Sequence, residues 1–261
     1  MVPDISLTTL LLLCLAALAA GWIDAVVGGG GLILLPALLV GLPHVPAAFV
    51  LGTNKSAAVV GTTGAAITYV RRTPLDVPAA VRIGLAAAGG SLGGAFLAAG
   101  LDSAVLRPLI MIVLAGVLVF VLLRPSFGTA PAPSGPVTRQ RVLAAVLIAG
   151  LGIGFYDGLV GPGTGAFLVI ALAAILHMDL VTASATAKVV NVCTNLGALA
   201  MFAYQGTVLW GLGALLAAFN LAGSTAGARM ALKKGAGFVR GVLVVVVVAL
   251  LCSMAYDQWL S

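Results

Sequence analysis

Apolar runs of about 20 residues, the length an α-helix needs to cross the hydrocarbon core of a bilayer, follow one another along almost the whole chain. In lipid each backbone amide must find its partner within its own segment, so runs of that length specify helices. Only 8% of the 261 residues are charged and 62% are hydrophobic, where soluble domains carry roughly 25% charged residues. The fold class this implies is all-α and integral to the membrane. Too little is left over for a soluble domain, so recognition or chemistry has to happen among the helices. The net charge of +6 is mostly arginine in short loops. That reports orientation, and with no dense basic run a nucleic-acid partner is excluded. Cys14, Cys193 and Cys252 are odd in number and lack CxxC spacing, which reads as buried free thiols.

One run is interrupted in an unusual way. From Gly21 to Ser56 the sequence reads GWIDAVVGGGGLILLPALLVGLPHVPAAFVLGTNKS, placing Asp24, four glycines (Gly28, Gly29, Gly30, Gly31), His44, Asn54 and Lys55 among apolar residues. A second copy follows at GFYDGLVGPGTGAFLVIALAAILHMDLVTASATAKVV. Asp24 registers with Asp157, Gly28 with Gly161, Gly30 with Gly163, His44 with His177, Thr53 with Thr186 and Lys55 with Lys188, all at one offset of 133 residues (157 − 24 = 133; 188 − 55 = 133). Gly90 with Gly223, Gly94 with Gly227 and Arg107 with Arg240 extend that register without a gap. Glycine matches are cheap here, whereas matches of Asp, His and Lys are not. The chain is a duplicated unit: a first transmembrane repeat over residues 1–123, a Pro- and Gly-rich linker over 124–140, and a second repeat over 141–261.

Each repeat opens with a segment too long for one span and too short, after its glycines, to cross again, so a broken or re-entrant helix is expected, followed by three ordinary transmembrane helices. The expected segments are Ile5–Ile23, Leu32–Gly41, Val50–Val70, Ala79–Gly100 and Val105–Leu123, then Arg141–Phe155, Phe167–His177, Thr182–Tyr204, Leu209–Leu232 and Arg240–Tyr256. Basic residues cluster at Arg71, Arg72 and Arg82, at Arg124, Arg139 and Arg141, and at Lys233, Lys234 and Arg240. All three clusters face the cytoplasm only if the broken segment returns to the side it entered, which makes the two repeats inverted, gives about eight transmembrane segments, and leaves both termini outside.

Inverted repeats with interrupted helices are the architecture of secondary transporters, whose sites lie near the midplane where the broken helices meet. Free N–H groups at a half-helix N-terminus attract anions, which nominates Gly28 to Gly31, Gly161 and Gly163. The glycines at Gly89–Gly94 and Gly223–Gly227 read instead as helix packing. Lys55 and Lys188 are the sharpest signal, because a charge in the bilayer costs at least about 2.5 kcal/mol and is kept for a partner or a ligand. An anion contact is weighed against snorkelling to the interface and against pairing with Asp24 or Asp157 across the repeats. Asn54, and Asn191 with Asn195 on one face with Lys188, supply hydrogen-bond donors or interhelical ties. Asp24 and Asp157 read as charge-pair partners first and proton-coupling groups second. His44 and His177 carry no specific signal beyond their duplication.

No Glu occurs, no nucleophile stands beside a base, and neither HExxH nor GxxxxGK[ST] is present, so catalysis and primary pumping find no residues and no cofactor or metal is implied. A carrier, an anion channel and a proton- or sodium-coupled anion importer remain.

GWIDAVVGGGGLILLPALLVGLP followed by LGTNK and Arg71–Arg72, with the divergent GFYDGLVGPGTGAF in the second half, resembles the TauE/SafE sulfite exporter family over essentially the whole chain. The resemblance implies a homodimeric transporter of the bacterial inner membrane for sulfite, sulfonates or other small anions, without cofactor, and favours export. An inside-negative potential drives an anion out by about 2.3 kcal/mol per charge per 100 mV. The family's TNK motif falls on Thr53, Asn54 and Lys55; the second repeat has Thr186, Ala187 and Lys188, so the halves are not chemically equal.

Overall fold

The computed structural model of the protein describes residues 5–73, 75–123, 138–178 and 180–260, and the ordered elements among them are all helices. Helix α1 spans Leu7–Val27, α2 Gly31–Gly41, α3 Ala47–Val70, α4 Val77–Gly100 and α5 Ser103–Leu123. In the second half α6 spans Arg139–Leu159, α7 Thr164–Leu176, α8 Leu180–Tyr204 and α9 Trp210–Leu260. Within α9, Gly235 breaks the helix with φ 73° and ψ −170°. Shifted by 133 positions, the starts of α2, α3 and α4 fall on those of α7, α8 and α9, and α5 falls on the part of α9 beyond Gly235. The linker expected at 124–140 lies outside the described residues as far as 137, as do Arg124 and the side chains of Arg240 and Cys252. Thr138 accepts the Arg141 N–H at 3.4 Å and starts α6 at Arg139.

Five helices (Leu7–Val27, Val77–Gly100, Arg139–Leu159, Val181–Tyr204 and Trp210–Gly235) are long and apolar enough to cross a membrane. The stretches Gly31–Gly41, Ser103–Val113 and Thr164–Leu176 are apolar but shorter. α3 matches the spans in length with 24 residues, yet Thr53, Asn54, Lys55, Ser56 and Thr62 dilute its hydropathy. All five are buried inside the bundle rather than turned to lipid.

The broken segments double back. α2 retraces α1, since a methyl at Gly30 would meet the Ala20 carbonyl and Asp24, and one at Gly41 would meet Leu13 and Thr9. In the second half the Arg141 guanidinium at the start of α6 contacts His177 at the end of α7. α6 differs from α1 in a π-helical stretch, Val146–Gly152, which the sequence pattern did not announce.

Across the halves, α1 packs along α9 and α6 along α4 in the same way. A methyl at Gly223 would lie 2.0 Å from the Leu18 carbonyl oxygen, and one at Gly90 2.5 Å from that of Leu151, the residue in register with Leu18. Backbones this close admit no side chain, so these glycines serve packing, as the spacing suggested. α3 and α8 cross in opposite directions: Gly52 near the start of α3 faces Phe202 near the end of α8, and Thr62 further along α3 meets Asn195.

Arg71, Arg72, Arg82, Arg139, Arg141, Lys233 and Lys234 gather at one end of the bundle, where α3 and the first part of α9 finish and α4, α6 and α8 begin. At the other end the described Lys/Arg is Arg107, which donates to the carbonyls of Pro43 at 3.0 Å and Val45 at 2.6 Å and ties α5 to the end of α2.

Candidate functional site

The two helix breaks meet each other. Gly28, with φ 80°, ends α1 in the left-handed region, and a methyl on it would fall 2.4 Å from the Ala166 nitrogen; Gly31 faces Pro162. Gly161, with φ 89°, sits so near Lys55 that a methyl there would lie 2.9 Å from Nζ. Both positions need glycine for backbone conformation and for space. The result is a centre lined by turns whose amides are not shielded by side chains.

Lys55 and Lys188 are each 2% exposed, so neither snorkels to an interface. They pair crosswise between the halves. Lys55 Nζ lies 2.7 Å from Asp157 Oδ2, and Lys188 Nζ lies 3.1 Å from Asp24 Oδ2. A hydrogen-bonded chain links the pairs. Lys55 donates to Asn195 Oδ1 at 3.3 Å, Asn195 Nδ2 reaches Thr62 Oγ1 at 3.4 Å, and Thr62 donates to Asp24 Oδ2 at 3.5 Å. Asn195 Nδ2 also lies 3.4 Å from Asn191 Oδ1, which accepts from Thr194 Oγ1 at 3.0 Å. Removing one member of this network by mutation would strand its charged partner in a low dielectric.

Beside this chain is a cavity whose empty space, its opening included, is about 440 Å³. Asp24, Asn54, Lys55, Asp157, Asn191, Asn195 and Asn220 line it, with Thr62 and Thr164, and so do Gly28, Gly30, Gly31, Gly161 and Gly163 from the two breaks. One ammonium, several carboxamides and bare backbone amides form a donor-rich wall suited to oxygens of an anion, and two carboxylates balance the lysines. No group of three or more His, Cys, Asp or Glu side chains able to hold a metal occurs among the described residues.

Of the residues nominated from sequence, Thr53, Gly29, Thr186 and Lys188 do not line the cavity. Thr53 Oγ1 is taken by the Leu209 N–H at 3.1 Å, joining α3 to the α8–α9 connection, and Thr186 Oγ1 donates to the Thr182 carbonyl at 2.8 Å. A methyl added at Gly29 would meet side chains of its own hairpin, Leu32 at 3.5 Å and Ile23 at 3.6 Å. Lys188 reaches Asp24 from outside the cavity. His44 is exposed in its loop and His177 sits against Arg141, both away from the cavity. Sequence reasoning passed over Thr62, Thr164 and Asn220. Thr62 had a signal, its register with Asn195, and Asn220 had one in being a lone carboxamide in an apolar run; its Nδ2 donates to the Ala17 carbonyl at 3.0 Å. Cys14 and Cys193 are free thiols, the first buried and the second half-buried.

Comparison with known proteins bears on the whole chain. A family model described as sulfite exporter TauE/SafE matches residues 13–254. A probable membrane transporter protein (ORF9) of Sinorhizobium sp. is 33% identical over 254 residues, covering 97% of this chain and 95% of the relative. One from Haemophilus influenzae is 32% identical, covering 98% of each, and the probable membrane transporter protein YfcA of Escherichia coli K12 is 32% identical, covering 93% of this chain and 88% of its own length. No solved structure matches. With a matching model over nearly all of its length and relatives a third identical from end to end, this multi-helix membrane chain belongs to the sulfite exporter TauE/SafE family of membrane transporters.

Proposed function

We propose that the protein is a secondary-active carrier of a small sulfur-containing or organic anion, such as sulfite or a sulfonate, working by alternating access about the cavity at Lys55 and exporting its substrate. The observation that carries this reading is Lys55 itself: a lysine 2% exposed, on the wall of a cavity at the junction of two broken helices. The family's description as sulfite exporters supports the substrate class, and the inside-negative potential supports the direction.

In this reading the two repeats are inverted copies, each with a re-entrant first segment and three crossings. The opposite directions of α3 and α8, which occupy equivalent places in the repeats, support it. Inverted copies can touch at equivalent points only near the plane that relates them, so the meeting of the breaks at Gly28, Gly31, Pro162 and Gly165 fits a midplane site. The basic end of the bundle is then cytoplasmic. Both termini face the periplasm of a bacterial inner membrane, and assembly is as a homodimer with lipid and a small anion as the other partners. A cysteine added after Ser261 is expected to react with a membrane-impermeant thiol reagent applied to intact spheroplasts; protection there, with labelling only after lysis, contradicts this topology.

The substrate class is tested by thermal unfolding of the purified protein with sulfite, sulfate, thiosulfate, sulfoacetate, taurine and simple carboxylates. A ligand that binds only the folded state at a hundred times its Kd stabilises by about 2.7 kcal/mol. A rise in melting temperature with sulfite or the anionic sulfonate sulfoacetate is expected, and none with taurine, whose sulfonate is offset by its own ammonium; no rise with any anion argues against the reading.

A further inference from the structure

Lys55 and Lys188 hold equivalent places in the two repeats, yet their surroundings differ in kind. Lys188 donates to the main-chain carbonyl of Asp24 and, at 3.1 Å, to its carboxylate. The same carbonyl accepts the Gly28 N–H at 2.8 Å. Lys188 therefore closes the C-terminal end of α1, where unpaired carbonyls and the helix dipole both favour a cation. Among the described residues Lys55 makes no such hydrogen bond to backbone. Its ammonium has Asp157 at 2.7 Å and Asn195 at 3.3 Å, and it lines the cavity.

Two polar groups stand with Lys55 on the cavity wall, Asp157 and Asn54. Asp157, 2% exposed, sets Oδ2 2.7 Å from the ammonium, and beyond this ion pair Oδ2 has no hydrogen-bond donor among the described residues. Asn54, 6% exposed, turns onto the cavity wall, and its carboxamide has no hydrogen bond to the described protein. A carboxamide that faces the cavity and holds no protein partner is available to a ligand there.

We propose that Asp157 is a tethered substitute for the transported anion. In the empty carrier it keeps Lys55 neutralised; the anion enters by displacing it from Lys55 and takes a second contact from the Asn54 carboxamide, while Lys188–Asp24 remains closed as a structural clasp. This rests on the anion-carrier reading and adds to it which lysine binds and what the substrate competes with. The arrangement suits a carrier that must return empty, because a lysine never left without a counter-charge avoids the cost of an isolated buried ion during the return. Competition also lowers apparent affinity, since only the fraction of molecules with Lys55 released is competent to bind.

The test turns on a sign. Isothermal calorimetry on the detergent-purified full chain, with sulfite, thiosulfate and sulfoacetate titrated separately, compares the natural protein with Asp157→Asn and Asp24→Asn. If Asp157 holds Lys55 in nine molecules of ten, Asp157→Asn tightens binding about tenfold; a merely structural Asp157 would weaken it. Asp24→Asn breaks the pair whose lysine, Lys188, lies off the cavity wall; Lys55 keeps Asp157, so this variant gives no gain. Should Asp157→Asn unfold without ligand, the proposal requires the same anion to restore its cooperative melting, at lower concentration than it shifts the natural protein. Weakened or unchanged binding in Asp157→Asn, or unfolding that no anion rescues, overturns the substitution role while leaving the carrier reading intact. Absence of binding in the natural protein overturns both.

Discussion

Lys55→Met is expected to reduce anion affinity by about a hundredfold or more. Removing one member of a buried charge pair costs about 3–5 kcal/mol, and in the bound carrier the anion is that other member. Asp157 adds to the loss, because without Lys55 a carboxylate 2% exposed remains on the wall the anion approaches. The same substitution lowers stability, so affinity has to be separated from folding. Lys55→Met with Asp157→Asn removes both charges, and this double variant is expected to recover most of the melting temperature and none of the binding. Calorimetry and thermal unfolding on the two variants check the two halves of that statement.

Lys188→Met is expected to act in the reverse proportion, losing about 3–5 kcal/mol of stability with its main effect on the fold. Its ammonium holds both the carboxylate and the main-chain carbonyl of Asp24, in the last turn of α1 next to Gly28, where α1 gives way to α2. Without it the end of α1 loses its cation and, among the described residues, the Asp24 carboxylate keeps only Thr62, at 3.5 Å. Combining Lys188→Met with Asp24→Asn relieves the stranded carboxylate but does not restore the cation at the end of α1, where the Asp24 carbonyl keeps only the Gly28 N–H, so rescue is partial. Yield of folded protein and the thermal midpoint in detergent measure this, and full stability in Lys188→Met alone would show that the clasp does not hold the break together.

Much of this was legible in the sequence because membrane helices obey few rules. Length and apolarity define the spans, and the break shows itself where four glycines interrupt a run that nothing else explains. Repetition of Asp, Gly, Thr and Lys at one offset pointed to a duplication, and with it to a counterpart at Lys188 for any partner of Lys55. The crosswise pairing was among the readings the residues allowed, but a linear sequence does not say which aspartate faces which lysine; that depends on how the halves are docked. For the same reason Thr53 and Thr186, which share the lysines' register, turn out to tie α3 to a neighbouring loop and to brace α8. Side chains two positions apart on a helix point to different faces. Asn220 was missed because its twin, Ala87, is apolar, and a search by register finds only what is repeated. The chemical difference between the halves, Asn54 against Ala187 and Asn220 against Ala87, falls on the cavity wall.

The central claim is that an anion crosses by way of Lys55. Counterflow of radiolabelled sulfite into liposomes preloaded with unlabelled sulfite, with equal amounts of reconstituted natural protein and of the Lys55→Met/Asp157→Asn double variant, tests it most directly. Saturable, transient accumulation in the first and none in the second is the predicted result. Equal counterflow in both contradicts the account.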